Sequence, residues 1–175
     1  MKPPRSAYLH IPFCHKRCFY CDFSIIPLGN SAEIVGGPGI TSINSYLDLL
    51  HREISIAPKG PPLSTIYLGG GTPSLLNKDE VFDLLKHLQK KFGFQNGAEL
   101  TMEVDPATFS ENDLKEYLQL GINRLSLGAQ SFDDKTLASI GRKHNRDELI
   151  EACSWVNKFF KKGYLSSWSI DLIEN

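Results

Sequence analysis

Several features that define other protein classes are absent from this chain of 175 residues. No apolar run approaches the roughly 20 residues that a membrane-spanning helix needs, and a formal net charge of −1 gives no general attraction to nucleic acid or anionic lipid. Four cysteines are too few for a disulfide-dense secreted scaffold. The N-terminus has neither the apolar core of a signal peptide nor an Arg- and Ser-rich presequence. We therefore expect a cytoplasmic protein without a membrane span or a nucleic-acid partner; a plastid or mitochondrial location is expected only if the N-terminus is incomplete.

The hydrophobic pattern predicts an α/β fold in which strands and helices alternate. The clearest helix signal follows Asn77, which with Glu80 resembles a capping box, and Gly93 supplies the stop. A Gly-rich segment, residues 24–40, is predicted to be a long loop. The predicted strands are 7–11, 64–68, 99–104, 122–127 and 165–173, and the predicted helices are 41–57, 77–92, 110–120, 133–140 and 145–162.

This alternation is typical of parallel strands joined by helical crossovers, either in an open doubly wound sheet or in a (βα) barrel. Both architectures place ligands at the carboxyl ends of the strands. Only five long strands are predicted, whereas a complete barrel has about eight. We therefore expect residues 1–175 to form a single incomplete domain that is truncated after about the fifth strand.

The strongest chemical signal is a cluster of thiols, Cys14, Cys18 and Cys21, directly after the first predicted strand. Three thiols so close together can converge on one inorganic centre. A zinc site with His10 or His15 as the fourth ligand is the alternative, but structural zinc usually joins two separated ligand pairs, and no second pair follows. The spacing thus favours an iron–sulfur cluster in which one iron stays open to a small chelating molecule.

Other candidate residues follow later strands, and each also has a purely structural interpretation. Consecutive glycines admit a ligand to the backbone or form a tight turn. An acidic residue receives a ligand ammonium or caps a helix, and a buried amide often only satisfies a loop. Arg142 either clamps a carboxylate bidentately or belongs to a solvated helix end. Cys153, on an amphipathic predicted helix, is interpreted as a core thiol.

Cys-x3-Cys-x2-Cys lies in the string YLHIPFCHKRCFYCDF, which is followed by YLGGGTPSLL, EVDP, GINRLSLGAQSF and SIDLI. Together these motifs resemble the coproporphyrinogen-oxidase-like branch of the radical S-adenosylmethionine (SAM) superfamily, which contains oxygen-independent oxidases and haem chaperones. The resemblance runs from about Tyr8 to Ile173. It implies a partial (βα) barrel of the radical-SAM type, without the rest of the barrel or the C-terminal domain of that branch.

The resemblance also implies roles for individual residues. Cys14, Cys18 and Cys21 would ligate a [4Fe–4S] cluster, whose open iron would take the amino and carboxylate groups of SAM before one-electron cleavage to a 5′-deoxyadenosyl radical. The positions implied to bind SAM or to lie near the cluster are Tyr8, Tyr20, Gly70, Gly71, Thr72, Glu103, Gln130, Arg142 and Asp171.

Phe23 distinguishes the two functions within the branch. The oxidase pattern has a fourth cysteine at this position, so the chain resembles the chaperone form, which binds haem and delivers it to acceptor proteins and would also need an electron donor. The alternatives are oxidative decarboxylation of coproporphyrinogen III, a zinc-stabilised binding module without redox chemistry, and an inactive truncated isoform.

Overall fold

The computed structural model describes residues 4–29 and 37–174. Its twelve main elements alternate along the chain in the predicted order, apart from two very short strands after the first. They are β1 (Ser6–Ile11), β2 (Phe13–Cys14), β3 (Ile26–Pro27), α1 (Pro38–Ile56), β4 (Leu63–Gly70), α2 (Lys78–Phe92), β5 (Phe94–Val104), α3 (Glu111–Gln119), β6 (Arg124–Gln130), α4 (Asp134–Ser139), α5 (Arg146–Lys161) and β7 (Ser167–Leu172). Short 3₁₀ turns at Pro73–Leu75 and Pro106–Thr108 follow β4 and β5.

The five long strands form one parallel sheet in the order β1-β4-β5-β6-β7, and β2 pairs with β3 separately. Because the order in space equals the order in the chain, each crossover advances in the same direction. Successive long helices, α1, α2, α3 and α5, therefore pack beside one another. This winding is that of a (βα) barrel, and the five described strands do not close it. A doubly wound sheet would reverse direction at one strand, so that alternative is excluded.

The two faces of the sheet differ in polarity. Leu68, Met102 and Leu125 are fully buried toward the helices, where they form the core with the apolar faces of those helices. Residues that alternate with them on the same strands, such as Tyr67, Glu103 and Ser126, point to the opposite face. Parallel sheets usually have two apolar faces, so a polar face indicates a surface that serves a ligand rather than packing.

Local signals explain the helix boundaries. The predicted capping box at the start of α2 is confirmed: the Asn77 side chain accepts from the backbone N–H of Glu80 at 3.1 Å, and the Glu80 carboxylate accepts from the N–H of Asn77 at 2.8 Å. Gly93, with φ of 75°, ends this helix. Ser110 and Asn145 cap α3 and α5 in the same way.

The main differences from the sequence prediction lie in loops. The predicted loop 24–40 contains β3 and the first turn of α1, while residues 30–36 of that prediction lie outside the described residues. A two-residue strand has no periodicity to detect, and α1 starts at Pro38, which is suited to a first helical position. β5 begins at Phe94, five residues before its predicted start; the prediction missed this part because Gln95, Asn96 and Gly97 break the apolar pattern. None of the described helices has the length and apolar character needed to cross a membrane.

Candidate functional site

The cysteine segment is folded back on itself by backbone hydrogen bonds. The N–H of Leu28 donates to the carbonyl of Cys14 at 2.8 Å, which holds β3 beside β2. A turn closes where the N–H of Cys21 donates to the carbonyl of Cys18 at 3.2 Å. Arg17 then donates to the carbonyls of Cys21 and Phe23, at 3.0 and 3.1 Å. These bonds fix the backbone on which the three thiols are carried.

All three of these cysteines are free, half-buried thiols. The hydroxyl of Thr72 donates to the sulfur of Cys14 at 3.3 Å. Burial raises the pKa of Cys14; the bond from Thr72 opposes this, and Cys21 and Cys18 add to it. Since a metal ligand must be the thiolate, binding at Cys14 is expected to release a proton.

The zinc alternative has no preformed ligand group among the described residues. Among the described residues, no three His, Cys, Asp or Glu side chains are arranged so as to hold a single metal ion. His10 is also committed elsewhere, with Nε2 2.9 Å from the carbonyl of Ser24 and Nδ1 3.1 Å from the hydroxyl of Tyr8. A cluster is larger than one ion, so its ligands need not converge on one ion-sized point.

The glycines at the end of β4 are needed by the fold itself. Gly70 has φ of 117°, and a Cβ on Gly71 would lie 2.7 Å from the carbonyl oxygen of Phe13. Their N–H groups donate to Glu103 and to the carbonyl of Ile11, at 2.9 and 2.8 Å. This geometry agrees with the tight-turn interpretation, and these two N–H groups already have partners within the protein.

Two predicted acidic residues lie on the polar face of the sheet, and each already accepts at least one hydrogen bond from the protein. Glu103 accepts from the hydroxyl of Tyr67 at 2.9 Å as well as from Gly70. Asp171 accepts from the hydroxyl of Ser126 at 2.9 Å. Burial, the hydrogen bond to Glu103 and its charge raise the pKa of Tyr67, which therefore stays a neutral donor.

Gln130 carries backbone strain at the end of β6. Its φ is 65°, and it is the only residue other than glycine with positive φ in the described ranges. Such conformations cost about 1–3 kcal/mol and cluster at ligand sites. A Cβ on Gly128 would lie 3.3 Å from Nε2 of Gln130 and 3.5 Å from Nη2 of Arg142, so a small residue at 128 leaves room for both side chains.

Arg142 is neither on a solvated helix end nor free to clamp a ligand. Its side chain is only 9% exposed and forms an ion pair with Asp105. Nη2 donates to Asp105 and to the carbonyl of Gly128 at 2.7 Å, which uses both of its protons. A bidentate clamp through Nη1 and Nη2 is therefore not available in this structure. Nη1 faces the sulfur of Cys18 at 3.7 Å and the hydroxyl of Tyr20 at 3.4 Å.

A cleft of about 350 Å³ brings most of the candidate residues together at the carboxyl end of the sheet. That volume is in the range of small-molecule sites. Tyr8 does not line the cleft; it lies on β1, and its ring centroid is 6.0 Å from that of Tyr67. The predicted residues that do line it are Cys14, Cys18, Cys21, Tyr20, Gly70, Gly71, Thr72, Glu103, Gln130, Arg142 and Asp171.

Sequence reasoning missed the network behind Arg142. Asp105 caps a 3₁₀ turn through the N–H of Ala107 at 3.0 Å, and its ion pair with Arg142 is mostly buried. His144 is buried beside it and lies 3.1 Å from the carbonyl of Ala129 through Nε2. Burial alone would raise the pKa of Asp105, but His144 and Arg142 hold it below the ordinary value. Asp105 follows Glu103 in the motif EVDP, which was the available signal.

The predicted core thiol behaves as expected. Cys153 packs against the hydrophobic core from α5 and does not line the cleft. Burial raises its pKa, so it is a poor ligand and a poor nucleophile in this setting.

The donor set fits a cluster and a small polar ligand. Three free thiols occupy one wall of the cleft, and the carboxylates of Glu103 and Asp171 lie on the sheet wall. Three thiol donors close together suit an iron–sulfur centre. The carboxylates provide acceptors for the ammonium or hydroxyl groups of a second ligand.

Fold and site together define a barrel-type α/β protein with a thiol-lined cofactor cleft at the strand ends. The chain belongs to the radical SAM superfamily, whose family model matches residues 8–170. Membership of this superfamily implies a [4Fe–4S] cluster and SAM as cofactors.

Curated relatives include both functional types in the branch. The haem chaperone HemW of Synechocystis sp. is 40% identical over 171 residues, which cover 97% of this chain and 40% of that protein. HemW of Escherichia coli is 34% identical, covering 98% and 43%. The oxygen-independent coproporphyrinogen III oxidase of E. coli is 37% identical, covering 97% and 35%. The chain thus spans less than half the length of these relatives.

A solved structure supports the same fold. Coproporphyrinogen III oxidase (HemN) from E. coli, described as a radical SAM enzyme, matches with a TM-score of 0.82 and 33% identity. The match covers 98% of this chain and 37% of that one. The predicted fold class is therefore confirmed as the N-terminal part of that architecture, without closure of the barrel.

Proposed function

We propose that the chain binds a [4Fe–4S] cluster through Cys14, Cys18 and Cys21, binds SAM in the adjoining cleft, and acts as a haem chaperone. The observation that carries the cofactor part is the placement of three free thiols on one wall of a cleft whose sheet wall bears carboxylates. When bound, the cluster and SAM supply reductive cleavage of a sulfonium bond. A one-electron donor and haem-acceptor proteins are the partners that this proposal requires.

The protein's own groups are prepared for such ligands. Thr72 orients the sulfur of Cys14 through its hydroxyl, and Arg17 stabilises the backbone around Cys21. Glu103 uses two of its roughly four acceptor sites within the protein, which leaves others for a ligand. Asp171, held by Ser126, presents a second acceptor on the neighbouring part of the sheet.

Phe23 favours haem transfer over coproporphyrinogen oxidation. It stands in place of the fourth cysteine of the oxidase pattern, lines the cleft and is 66% exposed. An exposed aromatic ring at the rim of the cleft suits stacking against a planar macrocycle. Sequence identity does not make this distinction, because the E. coli oxidase and the chaperones are similar to this chain to the same degree.

Anaerobic reconstitution with iron and sulfide tests the cofactor proposal. We expect about four iron and four sulfide per chain and a broad visible absorbance that SAM perturbs. Alanine at any one of Cys14, Cys18 and Cys21 should abolish the cluster, whereas Cys153→Ala should retain it. Loss of the cluster in Cys153→Ala with retention in Cys21→Ala would show that the ligand set is wrong, and one zinc per chain would restore the zinc alternative.

Titration with haem and incubation with coproporphyrinogen III separate the two functions. The chaperone proposal predicts a saturable haem complex without consumption of porphyrinogen, weakened in Phe23→Ala. Phe160→Ala is the control, because Phe160 is also an exposed phenylalanine and lies on α5 outside the cleft. Turnover of coproporphyrinogen coupled to SAM cleavage would instead assign the oxidase function.

A further inference from the structure

The guanidinium of Arg142 is directed at one of the cluster cysteines. Nη1 lies 3.7 Å from the sulfur of Cys18, within the longer range of hydrogen bonds to sulfur, and 3.4 Å from the hydroxyl of Tyr20. Nη2 is fully used by Asp105 and Gly128. The group therefore cannot rotate away from the sulfur without breaking two better bonds.

Burial makes this placement rigid. The side chain of Arg142 is 9% exposed and that of Asp105 is 19% exposed, so both charged groups are largely desolvated. Each therefore needs the other as its counter-ion. His144 packs behind the pair, with Nδ1 3.8 Å from the Asp105 carboxylate. Nε of Arg142 is buried without a partner within the described residues, which costs folding free energy. The other contacts of the guanidinium hold it in this orientation despite that cost.

We propose that Arg142 raises the reduction potential of the cluster by donating a hydrogen bond to the sulfur of Cys18, and that Asp105 is the positioning residue for Arg142. This inference rests on the proposed cluster. Reduction adds one electron to a cluster whose thiolate ligands are already negative, so a donor and a positive charge beside one sulfur stabilise the reduced form more than the oxidised form. Hydrogen bonds to sulfur are among the factors that set cluster potentials.

The same contact assigns Arg142 a role different from the one implied by resemblance. If the guanidinium were a SAM clamp, its variants would change the affinity for SAM and leave the potential of the SAM-free cluster unchanged. If it acts on the sulfur, the potential changes in the absence of SAM. The two roles therefore differ in a quantity that does not depend on turnover.

A redox titration of the reconstituted full chain without SAM, followed by electron paramagnetic resonance, tests the proposal. The main variant is Arg142→Met/Asp105→Asn, which removes the donor and leaves no unpaired buried charge. At a fixed potential near the midpoint, we expect the ratio of reduced to oxidised cluster to fall about tenfold, which corresponds to about 59 mV for a one-electron couple. Arg142→Lys keeps the charge but loses the planar fork, so it should shift the midpoint in the same direction by less.

Arg124→Gln is the charge control, because Arg124 carries a positive charge at the start of β6 and does not line the cleft. The proposal is overturned by an unchanged midpoint in the double variant, or by an equal shift in Arg124→Gln, which would reduce the effect to net charge. Should the double variant assemble no cluster, Arg142→Lys decides: an unchanged midpoint there also overturns it. A wild-type chain without a cluster refutes the proposed function itself, which is a different failure.

Discussion

The buried pair between Asp105 and Arg142 allows a quantitative prediction about stability that needs no cofactor. Asp105→Asn keeps the shape of the side chain and an oxygen for the N–H of Ala107, so it mainly removes the charge. The guanidinium, 9% exposed, is then left without its counter-ion. Breaking one half of a buried pair costs about 3–5 kcal/mol. Because Asp105 keeps some contact with water, we expect a loss near the lower end, about 3 kcal/mol.

The double-mutant cycle gives the sharper result. Arg142→Met leaves the Asp105 carboxylate without its counter-ion and should lower the unfolding free energy by a similar amount. The double variant leaves neither charge of the pair, so it should lose no more than either single variant, about 3 kcal/mol. The coupling energy is then about 3 kcal/mol, against roughly 0.5 kcal/mol for independent sites. Urea unfolding of the apo chains with a shared m-value measures it. If the two single losses add up to the loss of the double variant within about 0.5 kcal/mol, the claim that Asp105 and Arg142 are energetically coupled is refuted.

The depressed pKa of Asp105 sets the expected pH dependence of the same measurement. A carboxyl whose pKa is lower in the folded chain contributes stability that is present above its unfolded pKa, about 3.9, and lost as the pH falls through the folded value. Burial opposes this shift, while His144 and Arg142 cause it. The stability of the wild-type chain should therefore fall more steeply in this acid range than that of Asp105→Asn. Parallel curves would contradict the assigned charge state.

Two further predictions concern the backbone near the cleft. Gly71→Ala should lower the free energy of unfolding in urea by about 1–3 kcal/mol, because the new Cβ would lie 2.7 Å from the carbonyl oxygen of Phe13. Gly60→Ala is the matched control. Its Cβ would lie 3.9 Å from the nearest neighbours, so the unfolding free energy should change little. Gln130→Gly should raise the unfolding free energy by about 1 kcal/mol, because glycine adopts the left-handed conformation without strain. The same variant should bind SAM more weakly, as measured by calorimetry. A destabilised variant with unchanged SAM binding would show that the strained residue serves the fold alone.

The fold was predictable where local and global signals agree. Asn77 with Glu80 marks the start of α2, and the alternation of Leu and polar residues in β6 reports which side of the sheet faces the helices. The sequence could not reveal β3, because its two residues are stabilised only by pairing with β2. Nor did it define the start of β5, where pairing of Phe94 with Leu63 overrides an unfavourable local composition.

The site was predictable as a set of positions but not as a set of contacts. Every strand of a parallel sheet ends at the same edge, so Glu103, Gln130 and Asp171 had to lie near one another once the strands were located. The pairing of Arg142 with Asp105 joins residues 37 positions apart through side chains, and no periodic pattern reports such a bond.

The polar face of the sheet is compatible with stability because its groups satisfy one another. Tyr67 donates to Glu103, and Ser126 donates to Asp171, so each carboxylate has a neutral donor before a ligand arrives. A buried polar group without a partner would cost about 1–3 kcal/mol, and a face built from such groups would favour collapse or misfolding. A carboxylate, however, has acceptor sites to spare. A ligand can therefore add hydrogen bonds at Glu103 and Asp171 without displacing those that the protein already makes there, so one sheet face can support both the fold and a binding site.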